Sequence, residues 1–371
     1  MKGIGIDYLI FAPSVSVDKN GKTQYLYPSS YSRKSERPSK DLIDMCLRNA
    51  KKAGIKVFIG LNMNDKWWSA DFLEDWMYKQ MNEGNKVADE LVSKYKGKYG
   101  DTMYGWYWPW EVDNAHAASA ENRTALANAV NINLDHLNII TPDMPFMMSP
   151  YMNSKSGTAD DNYKMWSSVL SKIHFRNGDI FAPQDGVGAG GLTVYQLSEW
   201  FEKIRQAVNT KPGLKLWANV ESFDSRFWTS APLSRYIQQL DKVNPYVNKI
   251  ITFAYPHYYS PYQVNKQFND VYAKYCSTGF LPEIPVPTPI SGLAAEVKGK
   301  EVILKWKSPK DKKYLVGYYI YKDGVLVGNI QKDIENNDIR FVVKNKSKRS
   351  LYEVSAYNVI GNESEKIKIQ Q

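Results

Sequence analysis

The sequence predicts an α/β chain: a (β/α)8-type TIM barrel that lacks its first βα unit, followed by a small all-β sandwich. Three observations carry this reading. Apolar runs of strand length alternate with stretches of helical period as far as about residue 280. A segment with proline at 282, 285, 287 and 289 then interrupts the chain. Beyond it the apolar pattern takes a period of two, bounded by turn residues.

Taken in order, the predicted strands are Gly3 to Phe11, Lys56 to Leu61, Met103 to Trp110, Pro145 to Ser149, Asp179 to Pro183, Lys215 to Val220 and Lys249 to Ala254. Between them lie helical stretches with punctuation of their own. Ser39 is placed to cap a helix carrying Leu42, Ile43, Cys46, Leu47 and Ala50 and ending at Gly54. Thr193 is placed to cap another, with Leu197, Trp200, Phe201 and Ile204 on one side. These stripes are core packing. Seven strands fall one short of a closed barrel, so the observed ones are expected to be numbers two to eight, with a gap or exposed edges between the first and the last.

The domain reading is a barrel over residues 1–280, a semi-rigid linker over 281–289 and a sandwich over 290–371. In the tail, Asp323-Gly324 is a hairpin turn, and Leu293, Val302, Leu304, Trp306, Tyr352 and Val354 resemble the core positions of fibronectin type III modules.

Composition narrows the function. The chain has 371 residues, 43 % of them apolar, and a formal net charge of +9. Residues 289–371 hold 16 Lys and Arg against 10 Asp and Glu, leaving 32 against 29 before them. The basic excess is therefore a solvated face of the tail and not a nucleic-acid site. Cys46 and Cys276 are read as two buried free thiols, and His116, His136, His174 and His257 show no metal-ligand spacing, so neither a metal nor another cofactor is expected. No run is long enough for a membrane span. The N-terminus has no signal pattern, and a start missing from the sequence would reconcile that with a periplasmic or extracellular protein. A monomer with a carbohydrate substrate is expected.

The chemistry rests on Glu111 and Glu221, each closing a tryptophan-bearing apolar run: Tyr104-Gly-Trp-Tyr-Trp-Pro-Trp-Glu111 and Leu214-Lys-Leu-Trp-Ala-Asn-Val-Glu221. Catalytic residues of such barrels come from the C-terminal ends of strands. Two carboxyl groups there can share the acid, base and nucleophile roles of glycoside cleavage, about 5–5.5 Å apart if configuration is retained and farther apart if inverted. Asp65, Asp113, Asp185 and Asp224 are the other carboxylates at strand ends or just beyond. Phe181-Ala-Pro-Gln-Asp-Gly-Val-Gly188 puts Gln184 and Asp185 at the barrel mouth, where they suit sugar hydroxyls, with Asp185 as reserve catalytic carboxylate. Its glycines lack the spacing and the Lys-Ser/Thr of a phosphate loop. Trp67, Trp108, Asn219, Tyr255 and His257 complete the substrate-binding candidates, because aromatic faces stack on the C–H faces of sugars. Tryptophans around Glu111 should raise its pKa, as a general acid requires, while Glu221 should stay ionised.

Met1-Lys-Gly-Ile-Gly-Ile-Asp7, Gly105-Trp-Tyr-Trp-Pro-Trp-Glu111, Asp179-Ile-Phe-Ala-Pro-Gln-Asp-Gly-Val-Gly188 and Leu216-Trp-Ala-Asn-Val-Glu-Ser-Phe223 together resemble the family catalogued as domain of unknown function 4434. The resemblance spans about residues 1 to 280. It implies an exported bacterial barrel of glycoside hydrolase type, a strand and helix ahead of the first motif, and Glu111, Gln184, Asp185 and Glu221 as site residues. The placement of the glutamates is also similar to the large retaining clan of barrel glycoside hydrolases, in which the first serves as acid/base and the second as nucleophile. Trp110 stands where that clan has asparagine. The expectation is thus a retaining glycoside hydrolase; a glycan-binding barrel without catalysis is the alternative, and no Gly-x-Ser-x-Gly elbow supports ester or amide hydrolysis.

Overall fold

The computed structural model describes residues 1–69, 74–344 and 349–370. It divides into two compact units, Met1–Glu221 with Gln239–Phe253, and Ser222–Gln238 with Ala254–Gln371.

The first unit is a nearly closed barrel of seven parallel strands: β1 (Tyr8–Phe11), β2 (Lys56–Gly60), β3 (Met103–Trp108), β4 (Phe146–Met148), β5 (Ile180–Phe181), β6 (Lys215–Glu221) and β7 (Lys249–Phe253). Sheet order follows chain order, and β1 and β7 end the sheet without pairing to each other. Helices α1 (Leu42–Ala53), α2 (Glu74–Leu91), α3 (Ala120–Ile140), α4 (Ala159–Leu170) and α5 (Leu197–Asn209) connect successive strands, the arrangement that parallel pairing demands. Tyr8, Phe58, Tyr104, Tyr107, Met147, Ile180, Trp217 and Ile251 pack together, so every strand contributes to the interior.

Each expected strand is present, with local differences. Residues Lys2–Ile4 form a 3-10 turn closed by Gly5 at φ 80°, so the first strand begins at Tyr8 and not at Gly3. Asp41 caps α1 by accepting from the Asp44 amide at 2.8 Å, in place of Ser39; Gly54 ends the helix in the left-handed region, as expected. Thr193 and Gln196 pair through Gln196 Oε1, but the turn they close is 3-10 and α5 starts at Leu197. A small sheet of Val15–Val17, Thr23–Tyr25 and Asn62–Asn64, which the sequence reading does not contain, elaborates the loops after β1 and β2. After Asn62–Asn64 the chain makes a 3-10 turn, Asp65–Ser69.

In the second unit, β8 (Ser291–Lys298), β9 (Glu301–Lys307) and β12 (Asp338–Lys344) form one antiparallel sheet. The other contains β10 (Leu315–Lys322), β11 (Val325–Gln331), β13 (Leu351–Asn358) and β14 (Ile367–Gln370). Val302, Leu304, Trp306, Tyr352 and Val354 are buried between them, and Leu293 packs on that core. Asp323 (φ 51°) and Gly324 (φ 79°) make the expected hairpin turn, both in the region that favours Gly, Asn and Asp. Leu281–Pro289 carries no regular structure, and the unit takes in residues on both sides of it. Gln267 in helix α6 (Gln267–Thr278) donates to the Leu315 carbonyl at 2.8 Å, and Asn358 to that of Pro285 at 3.0 Å. Cys276 is exposed, not buried, while Cys46 is half-buried and its thiol is pushed up to about 11 by burial. Among the described residues no helix is long and apolar enough to cross a membrane.

Candidate active site

Strand β3 determines which residues meet at the barrel mouth. Its pairing with β2 slips between Val57↔Met103 and Phe58↔Gly105, leaving Tyr104 as an extra residue. From Gly105 onward the alternation is regular. Gly105 and Tyr107 face the interior, where a Cβ on Gly105 would strike the Phe58 ring and Tyr107 joins the interior cluster. Trp106 and Trp108 therefore face the helices. Trp106 Nε1 bonds Thr141 Oγ1 at 2.8 Å, and Trp108 Nε1 reaches Asn133 Oδ1 at 3.2 Å and Met81 Sδ at 3.3 Å. The expectation that Trp108 binds substrate is thus corrected: it is a core residue between β3 and the helical layer. Trp110 continues that face and meets Trp67 and Trp76 edge-on.

Glu111 follows with the parity of Tyr107. Its Oε2 accepts from Gln184 Nε2 at 2.7 Å, while its backbone carbonyl accepts from Trp67 Nε1 at 2.6 Å. Trp67 is buried and stacks on His116, with centroids 4.8 Å apart at 14°. It holds the Glu111 backbone and offers no exposed face, contrary to a role as sugar platform; Trp68 is the exposed neighbour. Burial raises the pKa of Glu111; the Gln184 amide opposes this, nearby Asp113 adds to it, and His116 opposes it. Asp113 titrates below its usual range. Burial alone would raise it, but His116 and two backbone amides bond its carboxylate.

Gln184 also donates to the Ser149 carbonyl at 3.1 Å, so its amide is held at two points. Asp185, one residue on, has no exposed surface. Its Oδ1 accepts from the amides of Val187 and Glu221, each at 3.2 Å, and its Oδ2 from Gln239 Nε2 at 2.6 Å. Asp185 therefore grips the end of β6 from behind, a placement that does not expose it to a sugar. Asn219 is likewise buried and donates to Ser149 Oγ at 3.0 Å, with Ser149 donating to the Ala182 carbonyl at 2.7 Å.

Glu221 ends β6, is 1 % exposed, and accepts at Oε2 from the Ala189 amide at 2.7 Å. The loop supplying that amide is drawn tight by Gly191 N and Leu192 N, both bonded to the Gly186 carbonyl. Gly186 sits at φ 65°, and a Cβ on Gly191 would collide with the Tyr151 hydroxyl and lie 2.6 Å from the Met152 carbonyl. The glycines thus bring Tyr151 close to this loop.

Tyr151 was not singled out in the sequence, since it lies in an irregular stretch after β4. Its phenol is pushed up to about 12, first by burial and then by the charges of Glu221, Glu111 and Asp113. One hydroxyl thus senses both glutamates. Tyr107 is also held at about 12 by burial, with a bond to Ser149 opposing and Glu111 reinforcing the shift.

The remaining candidates have surroundings of their own. Asp65 lines a polar cavity of about 680 Å³ with Lys22, Tyr25, Arg37 and Lys40 among its walls, and neither glutamate borders it. In the second unit, Asp224 pairs with Arg226 at 2.6 Å, as a loop cap would. Tyr255 is buried, its hydroxyl bonded to Asn269 Oδ1 at 2.7 Å in α6, and His257 is exposed at a ring distance of 6.2 Å from Tyr258.

The unit carrying the glutamates is an incomplete TIM-like barrel with carboxylates gathered at its strand ends, and its fold resembles that of glycoside hydrolases. The chain belongs to the family described as Domain of unknown function (DUF4434), whose model matches residues 1–265. Comparison with curated proteins gave no match. Among solved structures, a "putative alpha-L-fucosidase" from Bacteroides thetaiotaomicron shares 24 % identity at a TM-score of 0.62, over 75 % of this chain and 84 % of that one. The endo-β-1,4-mannanase from Thermotoga petrophila shares 12 % at 0.46, over 94 % and 86 %. A fibronectin-III array of RIM-binding protein shares 20 % at 0.20, over 23 % and 35 %.

Proposed function

We propose that this barrel cleaves glycosidic bonds with retention of configuration, with Glu111 as acid/base and Glu221 as nucleophile. The observation that carries the reading is the shared field at Tyr151, which both glutamates influence, together with the burial that raises the pKa of Glu111, the direction suited to a proton donor. In the first step the Glu221 carboxylate attacks the anomeric carbon, forming a glycosyl ester, while Glu111 protonates the departing oxygen. In the second, Glu111 takes a proton from water, which attacks the same carbon and releases Glu221. The Ala189 amide stabilises negative charge on Glu221 between turnovers, and the Tyr151 phenol, kept protonated, is a donor available to it. Gln184 fixes the rotamer of Glu111, and Asp185, with Gln239, fixes the backbone from which Glu221 projects. An exported protein whose sandwich serves as spacer or docking module fits this activity.

Digestion of a glycan panel with mass-spectrometric readout tests the activity. On a responsive substrate, Glu111→Ala should spare aryl glycosides with good leaving groups and respond to azide, whereas Glu221→Ala should abolish turnover on all. Proton NMR showing an inverted first product, or Glu221→Ala keeping most activity, would refute the assignment.

A further inference from the structure

The hairpin that opens two residues after Glu221 carries an exposed tryptophan in an unfavourable backbone conformation. Phe223 and Asp224 pair antiparallel with Ser230 and Thr229. The turn between them is clamped by Asp224, whose carboxylate accepts from the Arg226 amide at 3.0 Å and from its guanidinium at 2.6 Å. Trp228, the last residue of the turn, has φ 53°; among the described residues the other non-glycine with positive φ is the hairpin residue Asp323. The left-handed region is disfavoured for a bulky side chain, and such strain persists where the surroundings impose it, often at ligand sites.

Here the surroundings impose a flat, outward ring. The Trp228 indole lies parallel to the Phe223 ring, 3° off with centroids 5.6 Å apart, and Phe223 stacks in turn on Tyr258 at 5.5 Å and 21°. Phe223 is buried, whereas Trp228 is 69 % exposed. With one indole face on Phe223, the other is turned to solvent. Exposed Tyr195, Tyr262 and Phe280 are ordinary solitary surface residues with no such backbone constraint. The Asp224–Arg226 pair in the same turn argues against burial in lipid. It suits a ligand with apolar C–H faces and hydroxyl edges.

We propose that Trp228 is a carbohydrate-stacking platform, a binding subsite for a pyranose ring of an extended glycan. The proposal rests on the glycosidase reading for its choice of ligand but not for its test. The Glu111→Gln chain, which should not consume its ligand, is titrated calorimetrically with gluco-, manno-, galacto-, xylo- and N-acetylglucosamine oligosaccharides from disaccharide to hexasaccharide. Trp228→Ala should weaken the best hexasaccharide about tenfold, the effect of losing one good aromatic contact, and Trp228→Phe should weaken it less. Trp228→Gly removes the ring and relieves the backbone, so it should lose the same affinity while melting no lower than the parent. Unchanged affinity in Trp228→Ala and Trp228→Gly, or no binding of any oligosaccharide by the parent, would overturn the platform. Binding that depends on Trp228 in a wild-type chain that hydrolyses none of the panel would sink the glycosidase reading and leave the platform standing. Hydrolysis indifferent to Trp228 would do the opposite.

Discussion

Replacing Asp185 by asparagine separates a carboxylate that does chemistry from one that holds others in place. In the wild-type chain two backbone amides meet Oδ1 and the Gln239 amide meets Oδ2, in a site with no exposed surface. Asparagine offers one acceptor oxygen and one donor. If the oxygen faces the backbone amides, two NH2 groups oppose each other where the bond was 2.6 Å; turning Gln239 round relieves this only by surrendering its 3.0 Å bond to the Glu221 carbonyl. One buried donor and one buried carbonyl then lack these partners, each costing about 1–3 kcal/mol. The expected loss is about 2–6 kcal/mol, or roughly 4–24 °C in Tm for a domain of this size. Urea unfolding followed by tryptophan fluorescence measures the first quantity, and kcat on a responsive aryl glycoside, with its pH profile, measures the companion effect. A fall in kcat of about tenfold or less, with both pH limbs in place, is the expected companion. A stable Asp185→Asn chain whose kcat drops by about a thousandfold or more would refute the positioning role and return Asp185 to the chemistry.

Trp108→Ala should cost about 3–5 kcal/mol by leaving a cavity between β3 and the helices, with KM unchanged; a raised KM at normal stability would put Trp108 in the groove after all. Because the folded chain holds the Glu111 proton more tightly than the unfolded chain, this group's contribution to stability is complete below its ordinary value of 4.5 and is lost as pH rises through the raised value. Glu111→Gln should therefore flatten that part of the stability–pH curve and remove the alkaline limb of kcat/KM, as melting and rate profiles would show. Gly191→Ala should displace Tyr151 or the loop bearing Ala189, lowering kcat while the barrel still melts cooperatively; full activity would mean that this close approach is unimportant.

The positions of the barrel strands were legible because each is a short apolar run between turn signals, and the glutamates because a carboxylate at the end of such a run is conspicuous. The direction of the tryptophans was harder to see. A parallel strand covered on both faces carries no polar alternation, so Trp106, Trp108 and Trp110 could not be assigned a side without the register. The extra residue at Tyr104 sets that register, and no signal in the sequence marks it. Asp185 looked like a mouth residue because it follows Gln184 into a glycine turn; its partner Gln239 is 54 residues away, a pairing that only the fold reveals. Tyr151 escaped notice for the same reason, since its importance lies in what surrounds it. Ser39 was read as the cap of α1, but Asp41, the residue directly before the helix, takes the Asp44 amide instead.

The seam between β1 and β7 bears on how motion is distributed. In a ring without a break, bending at one strand must be taken up by every other. Here β1 and β7, each bonded on one side only, should exchange their amide hydrogens sooner than β4 and β5. Lys249 lies over the rings of Tyr8 and Trp217 at 4.8 and 5.9 Å, so its cation ties the two ends of the sheet together through their aromatic faces. Glu111 and Glu221 issue from β3 and β6, with β4 and β5 bonded continuously between them. The two carboxylates are therefore joined through the part of the sheet in which every strand is bonded on both sides, the part whose amides should exchange last.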